Sequence, residues 1–456
     1  MELIKSKNFN ENYLAKIVDI QMFRPHSNPT VTKLKCCNID GYNIITGINE
    51  QPGLYIYFPS GCTINPSLLS YASLYRDSTK NADENKKGFF EANGRCKTIN
   101  LKEEYSEGFL LPAEVFSNWI VDSVNKEIKL VAGTEFDAVS NGTNSFWVNK
   151  KYVVPSSGRQ GVTNPNSKTT KQKSLKRLNK VIDEQFNFHY STTLIKKCPF
   201  VLNPDQLISI TEKVHGTSAI SGYVLCRQEL NWKQKIAKWL TGEEFNKYDY
   251  LWSSRSVIKN KYYNKDVDGG YYDVDLWGIA HKIVQPTLSK GLTVYYEIIG
   301  YLPNGGYIQK DYDYGCERPN GTSYIYDKHY KIRVYRVTMT NVDGVVHEYS
   351  AKEVTDWCEK VGLVPVTTLY YGYSGHLYPI STTEHWSENF INALANDKKF
   401  YMEELSPSCN NKVPHEGVVI RIENSKSAAY KLKCFKFLDK ETVNQNNGEV
   451  DLEDQA

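Results

Sequence analysis

In the stretch "ITEKVHGTSAI", Ile210 to Ile220, Lys213 closes an apolar run three residues before Gly216. A lysine amine attacks only when it is neutral. Its ordinary pKa of about 10.4 leaves roughly one in a few thousand unprotonated at pH 7, so a nucleophilic lysine needs neighbouring cations or burial to lower it. The strand-like "YKLKCFKF" offers such cations, because a period of two puts Lys431 and Lys433 on one face. Two ammonium groups side by side repel unless an anion lies between them. A triphosphate is such an anion, and the same lysines would then stabilise charge on a transferring phosphorus. For a lone Lys-x-Lys the commoner explanation is an amphipathic edge strand with its lysines outward.

Two carboxylates stand in equally apolar company. Glu416 precedes a run of β-branched residues in "HEGVVIRIE", and Glu297 interrupts "LTVYYEIIGY". Burying a carboxylate is costly unless it meets a ligand hydroxyl, a cation or a metal-bound water, and pairing to structural arginines is the plainer alternative. Arg255 in "WSSRSVIKN" has the fork that suits a ribose or phosphate contact, or an ordinary surface position. No G-x-x-x-x-G-K-[ST] occurs, which excludes a P-loop, and no H-E-x-x-H or cysteine–histidine spacing marks a zinc site. What remains is a phosphoryl site centred on a lysine.

Such a site needs strands to hold it, and 456 residues suffice for two or three domains. "YLAKIVDI" (Tyr13 to Ile20) alternates like a half-buried strand, and "TKLKCCNIDGYNIITG" reads as a hairpin turning at Asp40-Gly41. Several short strands with hairpin turns point to a small N-terminal β-barrel, the OB-fold first. From Asp137 to Asp183 no acidic residue intervenes while lysines and arginines accumulate, a composition that fits a basic linker or a phosphate-rich partner. Beyond it strands alternate with helices. Ser350 and Glu353 form a capping box for one helix, and Trp386, Phe390, Ala393 and Leu394 line another across Thr383 to Asn396. In "NWKQKIAKWL", Trp232, Ile236, Trp239 and Leu240 form one stripe, expected to pack into a core. Ten cysteines without C-x-x-C spacing read as reduced, mostly buried thiols of an intracellular protein. No run reaches the roughly 18 apolar residues of a membrane span.

In order, "EKVHG", "SSRS", "YYEIIG", "VYRVT", "EGVVIR" and "YKLK" resemble motifs I, Ia, III, IIIa, IV and V of the covalent nucleotidyltransferases, which comprise RNA ligases, DNA ligases and mRNA-capping enzymes. Each piece is short, but six in order over about 220 residues are specific. "FNFHYSTTLIKKCPFVLNPDQLISITEKVHGTSAI", "IQKDYDYGCE", "PSCNNKVPHEGVVIRIEN" and, near the N-terminus, "GRCKTINLKEEYSEGFLLP" are similar to RNA ligases that carry an N-terminal OB domain. The resemblance thus covers most of the chain.

It implies an α+β protein: an OB-like β-barrel domain (1–155), a basic linker (156–180), an adenylyltransferase domain of ATP-grasp-like nucleotidyltransferase type, with antiparallel sheets flanked by helices (181–438), and an acidic, disordered tail (439–456). Lys213 matches the lysine that takes AMP from ATP, with Glu212 and Gly216 beside it at the nucleotide. Arg255 matches the motif Ia arginine, Glu297 the motif III glutamate near the ribose, and Lys431 and Lys433 the pair on the α-phosphate. Glu416 matches the motif IV acid that holds metal-bound water, with Glu297 a second candidate for the metal, Mg²⁺ or Mn²⁺. Tyr335 is the expected adenine-stacking residue, although many relatives carry an aromatic where this chain has Val337, on the same face of a regular strand. His215 stands where many members have aspartate. The implied activity is ATP-dependent sealing of RNA breaks, namely nicks in duplexes whose 3′-hydroxyl strand is RNA, by a monomeric, cytoplasmic protein without a membrane partner. A capping-type guanylyltransferase, or a nucleic-acid-binding module with an inactive site, is the alternative.

Overall fold

The structure is a computed structural model that describes residues 1–153, 181–189, 192–242, 244–255, 257–261, 272, 274–321, 323–381, 384–423 and 428–446. The basic segment 156–180 and positions 447–456 lie outside the described residues. The N-terminal part is made of short antiparallel strands. A four-stranded sheet runs in the order Gly108–Pro112, Gly53–Pro59, Ala15–Ile20, Glu135–Phe136. Ala15–Ile20 was expected to be half-buried, but it serves two cores. Ala15 and Ile17 pack on one side with Ile56 and Phe58, while Val18 and Ile20 pack on the other with Tyr55 and Tyr57. The hairpin forms as read. Ile39 opposes Tyr42 across Asp40 and Gly41, both with positive φ (48° and 77°), the turn in which a glycine is strain-free.

Beyond residue 181 two antiparallel sheets carry the architecture. One has six strands, in the order Ile258–Lys259, Asn246–Ser253, Thr217–Arg227, Leu292–Gly300, Tyr330–Thr340, Val346–Glu348. The other orders Thr193–Leu194, Ala429–Lys433, Gly417–Ile422, Leu207–Glu212 and Thr368–Tyr373, antiparallel except for the first pair. The helices Leu276–Val284 and Ala351–Val361 pack on the six-stranded sheet, the latter opened by the expected Ser350–Glu353 capping box. Trp386–Ala395 fills the core of the five-stranded sheet through Trp386, Phe390 and Leu394. All ten cysteines are free thiols, and all but Cys198 are buried.

Two further expectations are overturned. The helix Trp232–Thr241 forms, but its apolar stripe faces solvent, with Trp232 69% and Trp239 82% exposed. It links the ends of two neighbouring strands, and none of its residues is buried among the described residues. The disorder expected from residue 439 is not found in 439–446, which belong to the helix Phe435–Asn446. Phe437 is 2% exposed in the core of the five-stranded sheet, and Glu403 accepts the N–H groups of Phe435 (2.6 Å) and Lys436 (3.1 Å), which satisfies donors that a helix start leaves open. Among the described residues no helix is long and apolar enough to cross a membrane.

Candidate active site

Lys213 to Gly216 form the passage between Leu207–Glu212 and Thr217–Arg227, strands of different sheets. Three bonds fix this passage. The Lys213 N–H donates to the Gly417 carbonyl (2.9 Å), the His215 N–H to the Tyr314 hydroxyl (2.7 Å), and the Gln309 amide to the Gly216 carbonyl (2.9 Å). Gly216 is demanded by space. A Cβ there would lie 2.5 Å from the Ile298 carbonyl oxygen and 3.2 Å from Glu297 Oε2, so the glycine lets the lysine turn close over the strand that carries Glu297.

Lys213 Nζ reaches Glu416 Oε1 at 2.7 Å, with side chains only 11% and 1% exposed. Lys433 Nζ lies 3.7 Å from the same oxygen, and His215 Nδ1 lies 3.8 Å from Glu416 Oε2. The strand Gly417–Ile422 places Glu416 against Lys433 because Gly417 pairs with Lys433 at a φ of 137°, where any Cβ would strike the Leu432 carbonyl at 2.1 Å. Lys431, one period of two earlier, lines the same cavity as Lys433, Lys213 and Arg255. A second, smaller cleft also reaches Lys213, lined by Glu212, Glu297, Tyr335, Arg336, Glu348 and Arg421 among others. The lysine therefore stands where the two openings meet.

Tyr335 owes its place to an irregularity. Tyr295 pairs with Arg336 and Tyr296 with Val334, so Tyr335 is the extra residue of a β-bulge. The bulge breaks the alternation. Val334 and Val337 both enter the core, while Tyr335 and Arg336 both face the cleft. A regular strand would have given Tyr335 and Val337 one face; here Val337 is fully buried and only Tyr335 borders the opening. The Tyr335 hydroxyl bonds Ser218 Oγ (3.0 Å) and His189 Nδ1 (3.2 Å), and burial, helped by the negative charge of Glu297, holds its pKa well above the usual phenol value. Glu212 takes a supporting position, its carboxylate accepting from Ser408 Oγ (2.9 Å) and Thr367 Oγ1 (3.1 Å). Burial pushes the neighbouring His415 below the ordinary imidazole pKa, against the pull of Glu212 and Glu416.

Several lining residues were not singled out from sequence. Arg336 donates to Glu348 (2.8 Å), which lies 3.6 Å from Arg421, a buried charge network at the cleft floor. Arg95 and Lys151 reach the larger cavity from the N-terminal part, and Glu441 and Thr442 reach it from the last described helix. Arg421 could have been found, since it shares a strand with the quoted "EGVVIR". Arg95, Lys151 and Glu441 are brought in by contacts far apart in the chain, which no local pattern encodes.

Among the described residues no three His, Cys, Asp or Glu side chains gather to hold a metal by themselves. The donor set suits a divalent ion held through water and phosphate instead, as Mg²⁺ is commonly held by one or two carboxylates. Glu416 Oε2 is buried and accepts no hydrogen bond among the described residues, which fits that use.

No protein-family model and no curated protein matches the chain. Solved structures do. A lysine-to-alanine variant of Naegleria gruberi RNA ligase with ATP and Mn aligns at a TM-score of 0.51 and 14% identity, covering 95% of this chain and 99% of that one. A glutamate-to-alanine variant with ATP and Mn aligns at 0.52 and 13%, covering 94% and 99%. The fold is that of an RNA ligase. The alignment spans nearly the full length of both chains.

Proposed function

We propose that the chain is an ATP-dependent RNA ligase that joins 3′-hydroxyl and 5′-phosphate ends through a lysyl-AMP intermediate. The observation that carries this reading is the place of Lys213: a nearly buried amine, 2.7 Å from Glu416, between an aromatic and acidic cleft and a cavity crowded with cations. The cleft suits a nucleoside, with Tyr335 against adenine and Glu297 toward the ribose. Arg255, Lys431 and Lys433 suit the phosphates.

The chemistry is three transfers at phosphorus. Lys213 Nζ, having given up its ammonium proton, bonds to the α-phosphorus as the bond to the bridging β-phosphate oxygen breaks; a second proton leaves the nitrogen and pyrophosphate departs. An oxygen of a 5′-phosphate end then takes the AMP and frees Lys213. Finally the 3′-hydroxyl oxygen bonds to that 5′-phosphorus, AMP departs and the hydroxyl proton is released. At rest Glu416 favours the ammonium form of Lys213. A divalent ion, Mg²⁺ or Mn²⁺, held through water by Glu416 with Glu297 nearby would offset phosphate charge and compete for that carboxylate. Lys433, close to both, disfavours a second positive charge on Lys213 once the pairing is loosened.

The N-terminal part (1–155) acts in this reading as an OB-like domain that, with the basic segment 156–180, holds a nicked duplex whose 3′-hydroxyl strand is RNA. The protein works as a cytoplasmic monomer. Incubation with α-labelled ATP and Mg²⁺ is expected to label the chain covalently, and Lys213→Ala to abolish labelling. Joining of nicks is expected to survive replacement of the 5′-phosphate strand by DNA and to fall when the 3′-hydroxyl strand is DNA. Label retained by Lys213→Ala, or transferred from GTP in preference to ATP, refutes the assignment.

A further inference from the structure

The cavity beside Lys213 draws cations from distant parts of the chain: Arg95, Lys151, Arg255, Lys431 and Lys433. Arg95 is 6% exposed, and its Nε and Nη1 donate to nothing among the described residues. A buried guanidinium with idle donors calls for an anion. Two carboxylates line the cavity. Glu107 is held by Lys196 at 2.8 Å, away from the phosphate-facing lysines. Glu441 enters from the helix Phe435–Asn446, lies 3.7 Å from Lys433 Nζ with its side chain 17% exposed, and is the strongest of the charges that offset the desolvation of Arg95. Its neighbour Thr442 accepts from Arg95 Nη2 at 3.5 Å. One turn of helix thus brings a carboxylate to Lys433 and a hydroxyl to Arg95 in the same cavity.

We infer that Glu441 is a built-in substitute for the phosphate tail of the nucleotide, competing with triphosphate and pyrophosphate for Lys433 and Arg95. The inference rests on the proposed ligase reading. Without nucleotide the carboxylate relieves repulsion among crowded cations. With nucleotide it becomes a like charge beside the phosphates and weakens their hold. Its return to Lys433 favours departure of pyrophosphate after Lys213 has taken AMP. The helix can stay docked meanwhile, since its first turn is fixed by Glu403 and by Phe435 stacked on Tyr105 (4.6 Å between ring centres), and its second by Lys440 on Asp311 (2.6 Å). Only the Glu441 side chain has to turn.

The test is titration calorimetry of the full chain with inorganic pyrophosphate and Mg²⁺, alongside the ATP dependence of lysine labelling. Glu441→Gln is expected to bind pyrophosphate roughly tenfold tighter, to show a lower KM for ATP, and to suffer stronger inhibition of labelling by pyrophosphate. Glu441→Asp, which keeps the charge, should stay within about threefold of the parent chain. Damage to the fold loosens binding, so tightening separates a competing charge from a merely structural role. Unchanged or weaker pyrophosphate binding by Glu441→Gln overturns the inference. If the unaltered chain neither labels with ATP nor binds pyrophosphate, it is the ligase reading that fails.

Discussion

Gly216 shows how closely Lys213 is seated. A methyl group there meets a backbone carbonyl and the Ile299 side chain, neither of which is the loose end of a flexible chain. Gly216→Ala is therefore expected to cost about 1–3 kcal/mol of stability and to slow lysine labelling by roughly a hundredfold, since misplacement by about an ångström suffices for that. Denaturant midpoints and labelling rates measured on one preparation check both; labelling at the parent rate would show that the close approach is irrelevant. At this scale the sequence was most readable. The period of two predicted that Lys431 and Lys433 share a face, and they line one cavity. The apolar runs around Glu297 and Glu416 marked both as buried, at 8% and 2% exposure. Their partners were not readable: which base or acid faces Lys213 depends on two sheets meeting, and strand patterns carry no information on how sheets meet.

Elements departed from expectation where regular periodicity broke. The bulge at Tyr335 is one extra residue in an otherwise continuous strand, invisible to a pattern that assumes strict alternation. It makes a sharp distinction testable. Tyr335→Leu should raise the KM for ATP by roughly tenfold through lost stacking. Val337→Ala should leave KM unmoved and cost about 2 kcal/mol as a cavity in the core. Thermal melts and labelling kinetics of the pair decide it, and a KM shift in Val337→Ala alone would reverse the assignment. The helix Trp232–Thr241 teaches the converse. Its stripe of Trp232, Ile236, Trp239 and Leu240 was legible, yet the direction that stripe faces was not, because an amphipathic pattern fixes a helix but not the layer it meets.

Across the whole molecule the two parts are joined by a few buried contacts. Lys196 (9% exposed) donates to both oxygens of Glu107 (7% exposed) at 2.8 Å and lies 4.7 Å from the Phe435 ring centre. Lys196→Met leaves Glu107 buried without its cation and is expected to destabilise by about 3–5 kcal/mol. Adding Glu107→Leu should restore most of that loss. Urea unfolding of both variants checks this, and an unchanged midpoint for Lys196→Met would mean that the pair does not join the parts. None of these long-range partners could be read from sequence, since Lys196 and Glu107 are 89 residues apart; the resemblance supplied the order of the two parts but not the contacts between them.

The cavity wall formed by Glu441 and Thr442 has a counterpart in Arg95, separated from Thr442 by 347 positions. Ribosomes release a chain from its first residue onward, so Arg95 emerges long before the helix that faces it. A nascent chain that already displays Lys213 still lacks one wall of the cavity beside it. The helix that carries Glu441, Thr442 and Gln445 is therefore the last part of the cavity lining to be synthesised.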